Sequence, residues 1–334
     1  MSKPGPDRIL VTGASGFIGG SLLSLLARDV HLLPRAAVRL NEADLNLPVG
    51  VERVPVGDLA ADTNWMEALR RIDTIVHTAA RVHIMRDDAP EPLVEFRRVN
   101  VDGTWNLARQ AAESGVRRFI FISSIKVNGE GTELGKPYRA DDIPAPADAY
   151  GISKHEAEQG LQQVARATGM EVVIIRPVLV YGPGVKANFH TMMRWLHKGI
   201  PLPLGVTQNR RSFVALENLL HLIVTCIQHP AAADQTFLVS DGEDLSTAEL
   251  LRRTAAAMGV RARLLPVPAP VLLVAARFLG KVDLAQRLCG TLQVDIGATR
   301  ELLGWAPPVS ADQALRRTAL HFLANLPMSL PVQP

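Results

Sequence analysis

Thr12-Gly13-Ala14-Ser15-Gly16-Phe17-Ile18-Gly19 is the stretch that decides the fold. An apolar run, Arg8 to Thr12, reads as a strand before it, and Gly16 to Ala27 reads as a helix after it, with Phe17, Leu22, Leu23, Leu25 and Leu26 at helical spacing. Three glycines at a strand-to-helix turn let the backbone bend tightly and come close to a ligand. The free N–H groups and dipole at the helix N-terminus favour a pyrophosphate. The spacing, G-x-x-G-x-x-G, differs from the usual G-x-G-x-x-G, but the strand-turn-helix context is the one a dinucleotide fingerprint requires.

Working outward, further strands are expected at Arg35 to Arg39, Val51 to Val56, Thr74 to Thr78, Phe119 to Ser123 and Val172 to Ile175, most of them apolar as strands covered on both faces must be. Helical patterns lie between them. Asn64 is a candidate cap before Trp65 to Arg71, and Gly115 and Gly169 stop helical runs. The alternation predicts an α/β fold, a Rossmann-type doubly wound parallel sheet over residues 1–182, with a smaller, interleaved α/β substrate lobe over 183–334. In that lobe Leu216 to Ile227 reads as a helix, and Ser246 with Glu249 and Ser310 with Gln313 fit capping boxes.

The 334 residues are 47% apolar and 21% charged, which excludes a disordered or fibrous chain. Lys+Arg 36 against Asp+Glu 33 gives a net charge of +3, and no Lys/Arg run stands out despite a pI near 9.0, so no nucleic-acid partner is expected. Cys226 and Cys289 are the only thiols; no disulfide framework and no metal site is expected, and a reducing, cytoplasmic setting fits. Met1 to Asp7 lacks the apolar core of a secretory signal. Leu264 to Leu279 holds Pro266, Pro268, Pro270 and Arg277 and falls short of the ~20 residues of a membrane span. It reads as a buried or interface helix, with membrane-surface contact the lesser reading.

Tyr150-Gly151-Ile152-Ser153-Lys154 places Tyr150 and Lys154 one helical turn apart on one face. An ammonium there would lower the phenol's pKa and ready it to exchange a proton with a hydroxyl or carbonyl oxygen. Ser124 follows the strand Phe119 to Ser123, at the carboxyl edge where ligands of open α/β sheets bind, and its hydroxyl would share the reacting oxygen; Ser123 is the alternative. No acidic residue lies between Val30 and Asn41 to accept a ribose 2′-hydroxyl. Arg35 and Arg39 instead offer guanidinium groups to a 2′-phosphate, which favours NADPH over NADH.

Taken in order, Thr12 to Gly19, Gly57-Asp58-Leu59, His77-Thr78-Ala79-Ala80, Asn100-Val101-Asp102-Gly103-Thr104, Ser123-Ser124, Tyr150 to Lys154, and Arg176-Pro177 through Tyr181-Gly182-Pro183-Gly184 resemble the extended short-chain dehydrogenase/reductases, the NAD-dependent epimerase/dehydratase group. The resemblance covers nearly the whole chain. It implies an NAD(P)-binding enzyme in which Gly13, Ser15, Gly16, Phe17, Ile18 and Gly19 line the cofactor's pyrophosphate, and Asp58 and Leu59 border the adenine. Ala79 and Ala80 would meet phosphates or ribose, Asn100 the nicotinamide, and Lys154 its ribose, with Ser124, Tyr150 and Lys154 catalytic. It also implies a UDP-sugar substrate, with Asn188, Arg211 and Arg287 around its diphosphate and uracil, and a homodimer built from the helices after Asn100 and after Tyr150.

Departures narrow the chemistry. Sugar-nucleotide 4,6-dehydratases carry Asp-Glu where Ile125 and Lys126 stand, so dehydration is not expected. Many UDP-galactose 4-epimerases place Tyr at Asn128 and Asn near Val178 or Leu179. The segments Ala79 to Arg86 and Ser123 to Gly129 look like bacterial surface-polysaccharide enzymes. The leading expectation is therefore a reductase of a UDP-4-keto-6-deoxy-N-acetylhexosamine in lipopolysaccharide synthesis. A UDP-hexose or UDP-N-acetylhexosamine 4-epimerase is the rival, and a non-catalytic dinucleotide-sensing scaffold the reading from another class.

Overall fold

The computed structural model describes residues 6–42, 45–82, 91–280 and 282–326. His83 to Arg86, which contributed to the polysaccharide-enzyme resemblance, and most of Met1 to Asp7 lie outside the described residues. Among the described residues ten strands follow one another: β1 Asp7–Thr12, β2 Leu32–Arg39, β3 Glu52–Val56, β4 Thr74–His77, β5 Arg118–Ile122, β6 Glu171–Pro177, β7 Leu179–Tyr181, β8 Arg211–Ala215, β9 Thr236–Val239 and β10 Asp244–Leu245. Seven of them form one parallel sheet in the order β3-β2-β1-β4-β5-β6-β9. This is the doubly wound arrangement, and the strand order reverses between β1 and β4, opening a crevice beyond their carboxyl ends.

Both faces are covered, as the apolar strands require. Ile9 and Val11 of β1 pack with Leu22, Leu23 and Leu26 of the helix Phe17–Leu26 and with Leu219 and Ile223 of the helix Leu216–Gln228. Leu10, on the opposite face of the same strand, joins Leu107 and Ala111 of the helix Gly103–Glu113 and Ala157 and Leu161 of the helix Ala149–Thr168. Alternate residues of one strand thus serve two cores. Arg118 is 2% exposed, and its guanidinium caps the last carbonyls of the helix Leu216–Gln228, at Cys226 (2.6 Å), Ile227 (3.1 Å) and His229 (3.0 Å), tying that helix to β5.

The second lobe is a three-stranded sheet, β10-β8-β7, packed on the helices Ala187–His197, Thr247–Ala257 and Ala311–Ala324. Its interleaving with the first is visible in the strands: β7 leaves the large sheet before residue 182, and β9 returns to it after the small one has begun. Phe17 packs against the cores of both lobes. Ser246 with Glu249 and Ser310 with Gln313 form complete capping boxes. Asn64 does not occupy the cap position itself; its Oδ1 accepts the Met66 N–H (3.0 Å), and the helix is short, Met66–Leu69. The apolar run after Leu264 forms the helix Ala269–Phe278, which buries Ala276 alone, so the expectation of a buried helix is corrected: most of its aliphatic side chains face solvent. Among the described residues no helix is long and apolar enough to cross a membrane.

Candidate active site

The glycine loop closes on β4. Gly13 has φ +73°, and a Cβ there would stand 2.6 Å from Thr78 Oγ1 and 2.8 Å from the Ala79 nitrogen. At Gly19 a Cβ would stand 2.2 Å from the Gly13 carbonyl oxygen, so the helix can approach the loop only without a side chain there. Gly16 is the N-cap of the helix Phe17–Leu26, donates its N–H to the Gly13 carbonyl (2.9 Å), and brings no side-chain cap. The first-turn N–H groups at Phe17 and Ile18 are thereby left for an anion. Thr78 Oγ1 donates to the Thr12 carbonyl (2.6 Å), and Ala79 N–H donates to Thr12 Oγ1 (3.2 Å), setting Ala79 and Ala80 beside the loop. A side-chain-free cradle and an open helix end fit a dinucleotide pyrophosphate.

Sequence reasoning quoted the residue beneath this junction within a motif but gave it no role. His77, fully buried, pairs with Thr12 Oγ1 (2.7 Å) and Thr104 Oγ1 (3.0 Å) and stacks on Phe121. Burial, helped by the Lys154 charge, lowers its pKa to about 3, so it stays neutral.

At the end of β2 the expectation of two free arginines is corrected. Arg35 is buried and committed to Glu52 Oε2 (2.9 Å) and to the carbonyls of Ala68 (3.0 Å) and Arg70 (2.9 Å), where no nucleotide can reach it. Arg39 is exposed but paired with Glu42 (2.5 Å), and Ser15 of the glycine loop donates to the same Glu42 Oε1 (3.0 Å). An acidic group therefore does stand at the loop, one position beyond the Val30–Asn41 window. Asp58 is exposed, its carbonyl accepting from Thr63 Oγ1 (2.5 Å), and Leu59 packs so closely on the helix Gly103–Glu113 that a Cβ at Gly103 would stand 2.7 Å from its Cγ.

The two adjacent serines are told apart. Ser123 is 3% exposed and donates to Glu158 Oε1 (2.5 Å), away from the crevice. Ser124, half-buried, accepts from the Lys126 N–H (3.3 Å) and hydrogen-bonds the Tyr150 phenol. Asp148 caps the helix Ala149–Thr168, its Oδ1 accepting from the Gly151 N–H (2.7 Å), and the cap presents Tyr150 in the first turn. Burial and then the Asp148 charge raise the phenol's pKa, and the Ser124 bond opposes them. The expectation that Lys154 lowers it is not met in this state. The Lys154 ammonium donates to the Ile122 carbonyl (2.8 Å) and lies 4.3 Å from the centre of the Phe121 ring; burial brings it down to about 7, with Glu158 opposing. Asn100, expected beside the nicotinamide, spends its amide on the protein itself. It is 1% exposed; its Oδ1 accepts from the Arg81 N–H (2.8 Å), while its Nδ2 donates to the Arg81 carbonyl (3.0 Å) and Ser153 Oγ (3.0 Å). Its amide positions the loop after β4 against the Tyr150 helix, and it has no free donor for a cofactor.

Beneath Ser123 lies an ion pair the sequence reading did not single out. Arg176 donates to both Glu158 oxygens (2.9 and 2.6 Å), the two side chains being 6% and 2% exposed, and to Asn128 Oδ1 (3.0 Å). Asn128 in turn donates to the Arg139 carbonyl (2.9 Å), so it faces this network and not the crevice. Glu158 repeats the four-residue spacing of Tyr150 and Lys154, the signal that would have revealed it.

On the second lobe, Arg211 and Arg287 come together. Arg211 donates to the Gly290 carbonyl (3.1 Å), and burial followed by the Arg287 charge lowers its pKa. Arg287, Gly290 and Thr291 line a cleft of about 490 Å³ whose other wall is Glu130, Gly131 and Asp148, the last of them two positions before Tyr150 in the chain. Lys126 bonds both Glu130 (2.8 Å) and Asp148 and so offsets one of the two negative charges on that wall. Arg287 lines this cleft and its charge reaches Arg211 nearby, so an anion entering there would meet a guanidinium of the second lobe. Asn188 is not joined to them: it is exposed in the first turn of the helix Ala187–His197, beside Phe189, which stacks on Tyr181 at 5.4 Å.

A glycine cradle at the β1–β4 switch point with a Ser-Tyr-Lys set on its rim defines a dinucleotide-dependent enzyme of the short-chain dehydrogenase type. The chain belongs to the NAD dependent epimerase/dehydratase family, whose model matches residues 9–240. It is 51% identical to a UDP-glucose 4-epimerase of Vibrio cholerae across 95% of this chain and 96% of that one. It is 25% identical, over 93% and 94%, to the N-acetyl-alpha-D-glucosaminyl-diphospho-ditrans,octacis-undecaprenol 4-epimerase of Escherichia coli O157:H7. Among solved structures, the UDP-glucuronic acid 4-epimerase from Bacillus cereus in complex with NAD superposes with a TM-score of 0.76 at 19% identity, covering 95% of this chain and 99% of that one.

Proposed function

We propose that this enzyme is an NAD-dependent UDP-hexose 4-epimerase. The observation that carries the reading is the 51% identity, over nearly the full length of both chains, to a protein of that activity. It replaces the 4-keto reductase expected from subgroup resemblance. One support for the reductase was Asn128 in place of an epimerase's Tyr, and Asn128 is 2% exposed and bonded to Arg176, so it does not bear on the reacting sugar.

In this reading Gly13, Gly16 and Gly19 with the open turn at Phe17 hold the pyrophosphate, Ala79 and Ala80 flank it, and Glu42 accepts the ribose 2′-hydroxyl, which favours NAD over NADP. A bound nicotinamide would supply a reversible hydride acceptor for sugar C4, allowing the hydride to be restored on the other face. Tyr150 takes the proton of the C4 hydroxyl as hydride leaves and gives it back as hydride returns; Ser124 holds the same oxygen by a hydrogen bond. Lys154 grips the nicotinamide ribose, and Arg211 and Arg287 hold the UDP diphosphate. A homodimer joined through the helices Gly103–Glu113 and Ala149–Thr168, where Trp105 is 38% exposed, completes the proposal.

Incubating the protein with UDP-galactose tests it. UDP-glucose should form to equilibrium with no net change in nicotinamide absorbance. Stoichiometric NADPH oxidation with a UDP-4-keto-6-deoxy-N-acetylhexosamine, and no interconversion of the hexoses, would restore the reductase. Binding of both ligands without turnover would favour the scaffold.

A further inference from the structure

In a chain of near-balanced charge, residues 172–216 and 250–282 contain no aspartate or glutamate. Within them Lys186, Arg194, Lys198, Arg261, Arg263 and Arg277 are exposed, and none forms an ion pair with a described residue. Backbone pairing draws the two segments together: Leu202 N–H donates to the Arg263 carbonyl (2.9 Å), Leu265 N–H to the Leu202 carbonyl (2.8 Å) and Gly205 N–H to the Leu265 carbonyl (2.9 Å). A groove of about 520 Å³ lies there, lined by Leu196, His197, Gly199, Arg261, Arg263 and Leu264.

Next to this cationic seam stands an apolar stripe. Ile200, Val206 and Leu265 are 39%, 45% and 49% exposed. In the helix Ala269–Phe278, Val271, Val274 and Phe278 recur at i, i+3 and i+7 and are 55%, 57% and 88% exposed, while Leu272 and Ala276, on the other side, face the lobe. Aliphatic side chains and a phenylalanine at the apex, bordered by cations with no anion among them, have the chemistry of a surface that rests in the interface of an anionic bilayer. Nucleic acid would ask for stacking aromatics along a groove, and the stripe has one ring. A second copy of the same face would set cations against cations.

We propose that this face docks the protein on an anionic lipid surface, the Val271–Phe278 stripe entering the headgroup region and the arginines pairing with lipid phosphates. The helix Val282–Cys289, which carries Arg287, follows directly, so docking brings the anion cleft close to the membrane. The inference does not depend on which reaction the site performs.

Flotation with phosphatidylcholine vesicles, with and without phosphatidylglycerol, tests it. The wild-type protein should float with the anionic vesicles only and be released by salt. Val274→Ser with Phe278→Ser should weaken partitioning more than about ten-fold, and Arg261→Gln with Arg263→Gln about five-fold per arginine. Thermal unfolding should be unchanged in both variants, because the replaced side chains face solvent. Failure of the wild-type protein to float, equal flotation with neutral vesicles, or full retention by the serine variant would overturn the proposal. So would a self-association of the wild-type protein in sedimentation that Phe278→Ser abolishes, which would give the face to a second copy.

Discussion

In the proposed reaction Tyr150 carries the proton transfer, and its surroundings set what its loss should do. Burial and the Asp148 charge raise its phenol's pKa while Ser124 opposes them, so it must first give up its proton before it can take one from the C4 hydroxyl. Tyr150→Phe should lower kcat by ~10²–10⁴ and leave NAD affinity within a few-fold. Steady-state rates beside a cofactor titration would check this, and a kcat near wild type would reject the assignment. Arg211→Ala should weaken UDP binding by about 1.5–3 kcal/mol, the range for hydrogen bonds to charged groups, read by calorimetry. At this scale the sequence was legible where a position follows local spacing. Tyr150 and Lys154 share a helix face, and Ser124 follows its strand. It was not legible where a partner lies far along the chain. Nothing near Arg35 announces that its guanidinium ends on the carbonyls of Ala68 and Arg70, or that Asn100 spends its amide on Arg81 and Ser153.

Among the elements, the strand-turn-helix at the N-terminus is the least tolerant of change. A methyl group at Gly19 would overlap the Gly13 carbonyl, whose position is fixed by the turn itself, so the helix and loop must part to admit it. Gly19→Ala should therefore reduce dinucleotide affinity at least about ten-fold, since donors shifted by tenths of an ångström lose charge-assisted bonds worth about 1.5–3 kcal/mol each. Titration of the variant with NAD measures it, and wild-type affinity would contradict the cradle. This turn and the capping boxes at Ser246 and Ser310 were readable because their determinants lie within a few residues. The return of β9 to the large sheet and the outward face of the helix Ala269–Phe278 were not, because apolar composition does not say which surface covers it.

Over the whole molecule, proton linkage joins the site to stability. Lys154 is brought from 10.5 to about 7 by folding, so between these values the unfolded chain binds a proton that the native state has released, and stability rises with pH through the window. His77 acts in the same sense lower down: stability falls as pH drops from 6.5 toward about 3. Denaturant midpoints of wild type and Lys154→Met, followed upward from about pH 7 to the onset of tyrosine ionisation near 10, should show the rise in wild type alone. Parallel slopes would mean that Lys154 is not the titrating group. The proposed reaction needs an oxidation and its reversal at one sugar carbon without loss of the hydride between them. UDP-galactose deuterated at C4 tests this most directly. With a catalytic amount of enzyme, the label should be recovered at C4 of UDP-glucose, with none in free nicotinamide. Deuterium appearing in released cofactor, or no UDP-glucose at all, would contradict the epimerase.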